Sequence, residues 1–347
     1  FYLKNSNFNL AKKYFLKAKN VNSRFILNNF ISSSLYNWSN LKSLDINRAS
    51  LELKKINKRF ENLKRIQNVF LNCYYNTSNT KELFIQLNSD KRTDFSRYNY
   101  FYASYVESLG KTNTAKKIVD SALKLYPRNL LLNQYKIDLD KKKNIDTFNC
   151  KKENHVVAEI LYITANALSS QSINSTSNFY LNLAKFLNED FYSFDTLVAE
   201  NFYEVDNYKN AKNIYKNLSK KGEAFKWYST KQLSRILILE KKKDEAIKLM
   251  SSVYKDLNNK KIYETFDFAE FLKNNEKFKL SISYYSNVLD YIKKDHPLYS
   301  EATEGRGVAF ERTGDWDKAE KDLLESLNMN PNQAYVINYL AYSWIEK

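Results

Sequence analysis

Apolar residues return every three to four positions through most of this chain, the spacing of one face of an α-helix. In "GDWDKAEKDLLESLNMNPNQA" a small residue, Ala319, is followed four positions later by Leu323, and Pro331 closes the run. Ser281 in "NNEKFKLSISYYSNVL", Ala246 in "EKKKDEAIKLMSSVY" and Ala211 in "VDNYKNAKNIYKNL" occupy the same setting. Successive markers lie 38, 35 and 35 residues apart, and the longest interval contains "KKDHPLYS", which reads as a lengthened loop. The pattern predicts a chain of short helices repeated with a period near 34 residues.

Numbering a repeat from Ser300 places Gly307 at position 8, Phe310 at 11, Ala319 at 20, Leu323 at 24, Ser326 at 27 and Pro331 at 32. Two antiparallel helices that cross closely at positions 8 and 20 need small residues there. Large residues at 11 and 24 fill the space between them. Pro331 ends the second helix, and Gly314 supplies the turn between the two. The register continues upstream. Starts at Ile262, Trp227, Tyr192, Ala158 and Ser96 place Ala269, Ser234, Ala199, Ala165 and Ala103 at position 8. They place Ser281, Ala246, Ala211, Ser177 and Ala115 at position 20. Ala184 falls at position 27 of its repeat, and Pro127 at position 32.

Six copies in one register resemble the tetratricopeptide repeat (TPR). The stretch "AEILYITANAL … FYLNLAKFLNEDFYSFDTLVAE" is similar to bacterial, chiefly alphaproteobacterial, TPR proteins. The resemblance implies an all-α, TPR-like α-solenoid, a right-handed superhelix of antiparallel helix pairs. It implies a protein-binding role and no catalysis. Residues 1–142 are expected to form N-terminal helical repeats, partly degenerate between Phe25 and Leu87. A loop or break is expected at 143–154, in the polar run "DKKKNIDTFNCKKE", with the TPR array proper at 155–347. With Ala11 at position 20 and Ala334 opening a new repeat, both ends fall inside a repeat. The chain is therefore expected to be a segment of a longer protein, with Tyr335, Ile337, Leu340 and Trp344 on an uncovered helix. Any targeting signal then lies outside it, which leaves a cytoplasmic and a cell-envelope location both open.

Composition narrows the function. Five Gly and three Pro in 347 residues are too few for the turns of an all-β fold. No apolar run approaches the ~18 residues of a membrane span. The net charge of +16 comes mostly from Lys, whereas phosphate and base recognition favour Arg. The Lys excess, with abundant Asn, Ile, Tyr and Phe, is read as coding bias, and Lys141–Lys143 and Lys241–Lys243 as solvated charge. Cys73 and Cys150 sit in no CxxC motif and are expected to be unpaired thiols. His155 and His296 lack metal-ligand spacing. Gly305 and Gly307 follow no strand, so helix packing rather than a phosphate loop explains them. No cofactor, metal or catalytic group is expected.

The first-helix face at positions 2, 5, 9 and 12 lines the concave surface of a TPR array. Here that face offers Tyr203, then Tyr228, Lys231 and Arg235, then Tyr263, Phe266 and Glu270. Lys231 and Arg235 are four apart on one helix face. Flanked by aromatic rings, they suit an acidic or C-terminal peptide segment. The carboxylate clamp of chaperone-binding TPR proteins wants Asn where Arg235 and Phe266 stand, which argues against a chaperone tail. Glu301, Glu304 and Glu311 continue the face as an acidic surface. The expected function is a non-enzymatic scaffold that binds a protein or peptide segment in its groove. Two alternatives remain open: RNA or anionic-surface binding through net charge, and the targeting arm of an enzyme whose catalytic domain lies outside this segment.

Overall fold

A computed structural model describes residues 1–20, 26–90, 92–143 and 147–345. Among the described residues there are nineteen α-helices and no strand. They are α1 (Phe8–Asn20), α2 (Ile26–Ser39), α3 (Ile46–Lys54), α4 (Glu61–Tyr75), α5 (Thr80–Asn88), α6 (Tyr98–Ser108) and α7 (Thr112–Leu125). Next come α8 (Leu130–Asp140), α9 (Glu153–Ser169), α10 (Asn174–Leu187), α11 (Ser193–Glu204), α12 (Tyr208–Leu218) and α13 (Glu223–Leu239). The series ends with α14 (Lys243–Asp256), α15 (Ile262–Asn274), α16 (Phe278–Tyr291), α17 (Tyr299–Arg312), α18 (Trp316–Met329) and α19 (Ala334–Ile345). The chain divides into two compact units, Phe1–Lys226 and Trp227–Lys347.

Helices adjacent in sequence pair through short connections: α6 with α7, α9 with α10, α11 with α12, α15 with α16 and α17 with α18. The small residues lie at these crossings. Ala103, Ala115, Ala165, Ala184, Ala199, Ala211, Ala246, Ala269 and Ala319 are all fully buried. At Gly307 a Cβ would stand 3.2 Å from the Ala319 carbonyl oxygen and 3.0 Å from Leu323 Cγ. Serine can bridge the same gap: Ser177 Oγ donates to the Ala165 carbonyl at 2.8 Å, whereas Ser281 Oγ donates within its own helix to the Phe278 carbonyl at 2.8 Å. Phe310 is half-buried, with Arg306 and Lys318 over its ring. Pro127 and Pro331 each stand two residues past the last residue of a second helix, α7 or α18.

The turn between paired helices follows a rule of its own. Gly110, Ser172, Asp206, Lys241, Glu276 and Gly314 all have left-handed φ, between 57° and 85°. Each occupies position 15 of its repeat. In each copy the N–H of position 16 donates to the carbonyl of position 11, as from Lys242 to Leu237 at 2.8 Å and from Asp315 to Phe310 at 3.0 Å. This is the Schellman closure of a helix C-terminus. Only two of the six turns use glycine. The same closure forms at Asn76, with φ 51°, where the Thr77 N–H donates to the Asn72 carbonyl at 3.0 Å, in the region where no register is legible in the sequence.

The first unit departs from a simple array. Besides their own neighbours, α2 and α4 pack against α9. Trp38 Nε1 donates to buried Gln67 Oε1 at 3.0 Å, and Gln67 donates on to Ser34 at 3.1 Å. Phe148 and Cys150, inside the expected break, belong to the core of this unit. Phe148 is buried between Phe70 and Phe101, at 5.3 and 4.4 Å between ring centroids. The cysteines differ from expectation. Cys73, near the end of α4, is disulfide-bonded to Cys150, with 6.0 Å between Cα atoms and 77 residues between them in sequence. Packing of α4 against α9 brings together two thiols whose sequence spacing carries no pairing signal.

Three stability measurements check this packing. Ala211→Leu and Ala319→Leu should each overpack a crossing and lose about 1–3 kcal/mol in urea denaturation; neutral results at both would refute the register. Lys241→Gly should stabilise by up to about 1 kcal/mol, because a β-carbon is unfavourable at left-handed φ. Reduction of the disulfide should lower stability by about 2–4 kcal/mol without loss of helix content by circular dichroism.

Candidate functional site

Burying positions 8 and 20 leaves positions 2, 5, 9 and 12 of each first helix facing away from the crossing. In the first unit, position 2 is spent internally. Arg97, Glu159 and Ser193 occupy it in three successive registers and bond to one another. Arg97 Nε and Nη2 reach the two Glu159 carboxylate oxygens at 2.7 and 2.9 Å, and Nη2 also donates to Ser193 Oγ at 2.9 Å. The guanidinium lies 4.0 Å from the Tyr162 ring centroid. Burial works against the Arg97 charge, but Glu159 holds it protonated. Tyr203, in the same unit, is half-buried with its ring 5.7 Å from that of Tyr208.

In the second unit the face is half-exposed. Tyr228 and Tyr263 are both partly accessible, and the Tyr263 ring lies 5.8 Å from His296. Lys231 Nζ donates to Asp267 Oδ2 at 2.5 Å. Arg235 is exposed and its Nη1 donates to Gln232 at 3.0 Å. Glu270 accepts from Lys273 at 2.9 Å and also from the Tyr285 hydroxyl. Phe266 is placed elsewhere than expected. It is 5 % exposed, at 6.1 Å from Tyr285 in the core formed by α15, α16 and α17. Position 5 of that helix turns inward because the large ring finds apolar neighbours there. Tyr263 and Tyr228 are thus the accessible rings on this side.

Farther along, Lys273, Glu304, Val308, Arg312 and Tyr335 line a 610 Å³ depression. Burial pushes the Glu304 carboxyl up, Lys273 pulls it down, and Glu270 and Glu301 raise it again. Glu311 accepts from the Tyr339 hydroxyl and lies 3.4 Å from Arg312. The face therefore alternates in sign rather than presenting one cationic spot: Lys231 meets Asp267, Lys273 meets Glu270, and Arg312 meets Glu311. Sequence spacing identified Lys231 and Arg235 but missed Asp267, which lies on the next first helix. Gly305 and Gly307 lie within α17, where a Cβ on Gly305 would come within 2.5 Å of the Tyr285 ring. Among the described residues no group of His, Cys, Asp and Glu is arranged to hold a metal ion, and no helix is long and apolar enough to cross a membrane.

The two carboxylates make distinct predictions. Glu159→Gln strands a buried guanidinium and should cost about 3–5 kcal/mol. Glu304→Gln should act oppositely. A carboxyl whose pKa is raised by folding favours the folded state below its unfolded pKa and loses that contribution as pH rises through the folded value. The variant should therefore gain stability over the native chain at neutral pH and match it in acid. Thermal melts across pH check both.

No protein-family model matches the chain, and no curated protein matches it in sequence. Solved structures do. YrrB, described as a TPR protein with an unusual peptide-binding site, is 18% identical over 53% of this chain and 92% of its own, with a TM-score of 0.39. Yeast Tom70 is 12% identical over 99% and 86%, with a TM-score of 0.41. PilF of Pseudomonas aeruginosa is 11% identical over 71% and 97%, with a TM-score of 0.39. This chain's own helix pairs, its buried small residues at positions 8 and 20, and its repeated turn at position 15 make the fold a helical-repeat array of TPR type.

Proposed function

We propose that the chain is a non-enzymatic scaffold that holds an extended segment of a partner protein along the first-helix face of the second unit. One observation carries this reading. Tyr228, Lys231, Arg235, Tyr263, Glu270 and Glu304 stay at least partly accessible on successive first helices, while Ser229, Thr230, Ser234, Thr265, Phe266 and Ala269 between them are buried. A row of rings and charges held by a preformed core orders little on binding, which favours affinity for a flexible segment. Alternating charge favours a polar segment of mixed sign over a purely acidic one. Lys231 and Arg235 bond to an acidic residue and an amide within the chain, so an incoming carboxylate competes with Asp267 for Lys231.

Peptides selected from a display library against the purified chain test this. Tyr228→Ala with Tyr263→Ala, and Lys231→Glu with Arg235→Glu, should each weaken the selected peptides about tenfold or more, since charge-assisted contacts beside rings exceed exposed ones. Reversing Lys141, Lys142 and Lys143 to Glu changes more charge and should have little effect. Equal losses for both charge reversals, or none for the groove variants with circular dichroism unchanged, would refute the assignment.

A further inference from the structure

The net positive charge of this protein lies in one unit, where acidic residues are sparse. Residues 1–226 contain 36 Lys and Arg against 20 Asp and Glu, a balance of +16, whereas residues 227–347 contain 19 of each. The bias is steepest at the start, where the first 44 residues contain seven Lys and Arg and no Asp or Glu. Four of these lysines lie on α1. Lys19 reaches Glu52 at 4.0 Å, while Lys12, Lys13 and Lys17 have no carboxylate partner among the described residues.

The geometry of α1 gives this charge a face. Ala11 is 2 % exposed, and Phe8 and Phe15 pack against the core, which fixes the inner side. Leu10, Lys13, Tyr14 and Lys17 follow one another at helical spacing on the outer side. Leu10, Tyr14 and Leu16 are 36 %, 51 % and 39 % exposed. The Tyr14 ring is stacked on Tyr2 at 5.4 Å, beside Phe1, and Lys17 Nζ lies 5.7 Å from it. This surface thus interleaves uncompensated ammonium groups with exposed leucines and rings.

From this juxtaposition we propose that the outer face of α1 docks the first unit on an anionic lipid surface. A soluble polyanion neutralises lysines but leaves the leucines in water, and α1 holds no Arg for bidentate phosphate contacts. An anionic bilayer satisfies both sets of groups: lipid phosphates take the ammonium groups, and the headgroup–acyl boundary takes Leu10, Tyr14 and Leu16. The flexible lysine stems let the charged ends stay at phosphate level while the apolar groups sit deeper. The contact is peripheral, lies within one unit, and does not depend on the proposed groove.

Sedimentation of the full chain with phosphatidylcholine vesicles, with and without phosphatidylglycerol, tests the proposal. Binding should require phosphatidylglycerol and fall with salt. Lys13→Glu with Lys17→Glu should reduce it about tenfold or more. Lys216→Glu with Lys220→Glu, an equal change of net charge elsewhere on the unit, should reduce it much less. Leu10→Ser with Tyr14→Ser should also weaken binding, at unchanged charge. Circular dichroism of each variant establishes that it is folded. Absence of binding to the anionic vesicles overturns the proposal, as do equal losses for the two charge reversals. Tight binding of a single-stranded RNA homopolymer at Lys13 and Lys17 that is indifferent to the Leu10 and Tyr14 changes assigns the face to nucleic acid instead, and equally overturns it.

Discussion

Two helices of this chain approach until a backbone carbonyl fills the space where a side chain would be. The Ala319 carbonyl oxygen stands 3.2 Å from where a Cβ on Gly307 would lie, and the other pairs meet across alanine or serine. Such contact leaves no room for adjustment in a close-packed interior. It sets which face of each first helix turns inward, and so which face is left for a partner. The position-15 turn serves the same end, since its left-handed residue lets the second helix return along the first. Four of the six turns accept a non-glycine residue at that point, so the packing they enable outweighs the local conformational cost.

Charge is arranged around this frame in two ways. Two arginines are committed to internal carboxylates, Arg97 to Glu159 and Arg306 to Asp322, each through two nitrogens. Buried pairs of this kind contribute little net stability but penalise any arrangement that separates them. Because Arg97, Glu159 and Ser193 come from three registers, their network ties neighbouring repeats in relative position. The lysines, by contrast, are mostly exposed, and in the first unit fewer carboxylates offset them. Their excess, read from the sequence as compositional bias, is assigned a docking role by the proposal for α1, where lysines lie beside exposed Leu10 and Tyr14.

What was legible in the sequence is what depends on residue size at fixed spacing. Ala103 through Ala319 mark crossings because only small residues fit, and Pro127 and Pro331 mark helix ends because proline lacks an N–H. The turn at position 15 carries a glycine signal only at Gly110 and Gly314. Ser172, Asp206, Lys241 and Glu276 carry no signal of left-handed backbone. Phe266 was misplaced because a ring at position 5 can turn toward either the groove or the core, and only the neighbouring helix decides. The Cys73–Cys150 bond and the seating of Phe148 arise from α4 meeting α9, a contact between distant segments that local periodicity does not encode. The Lys231–Asp267 pair was missed for a related reason: its partners lie on successive first helices.

The close crossing is tested most directly by a double-mutant cycle on Gly307 and Leu323 in urea denaturation. A Cβ on Gly307 would come within 3.0 Å of Leu323 Cγ. In the native background, Gly307→Ala should therefore forfeit the helix-propensity gain of about 1 kcal/mol that alanine brings. In the Leu323→Ala background only the Ala319 carbonyl oxygen remains, at 3.2 Å, and the same change should recover part of the gain. A coupling energy of at least about 0.5 kcal/mol is the predicted result. Strict additivity, with Gly307→Ala equally stabilising in both backgrounds, would contradict the packing on which the fold and its exposed face depend.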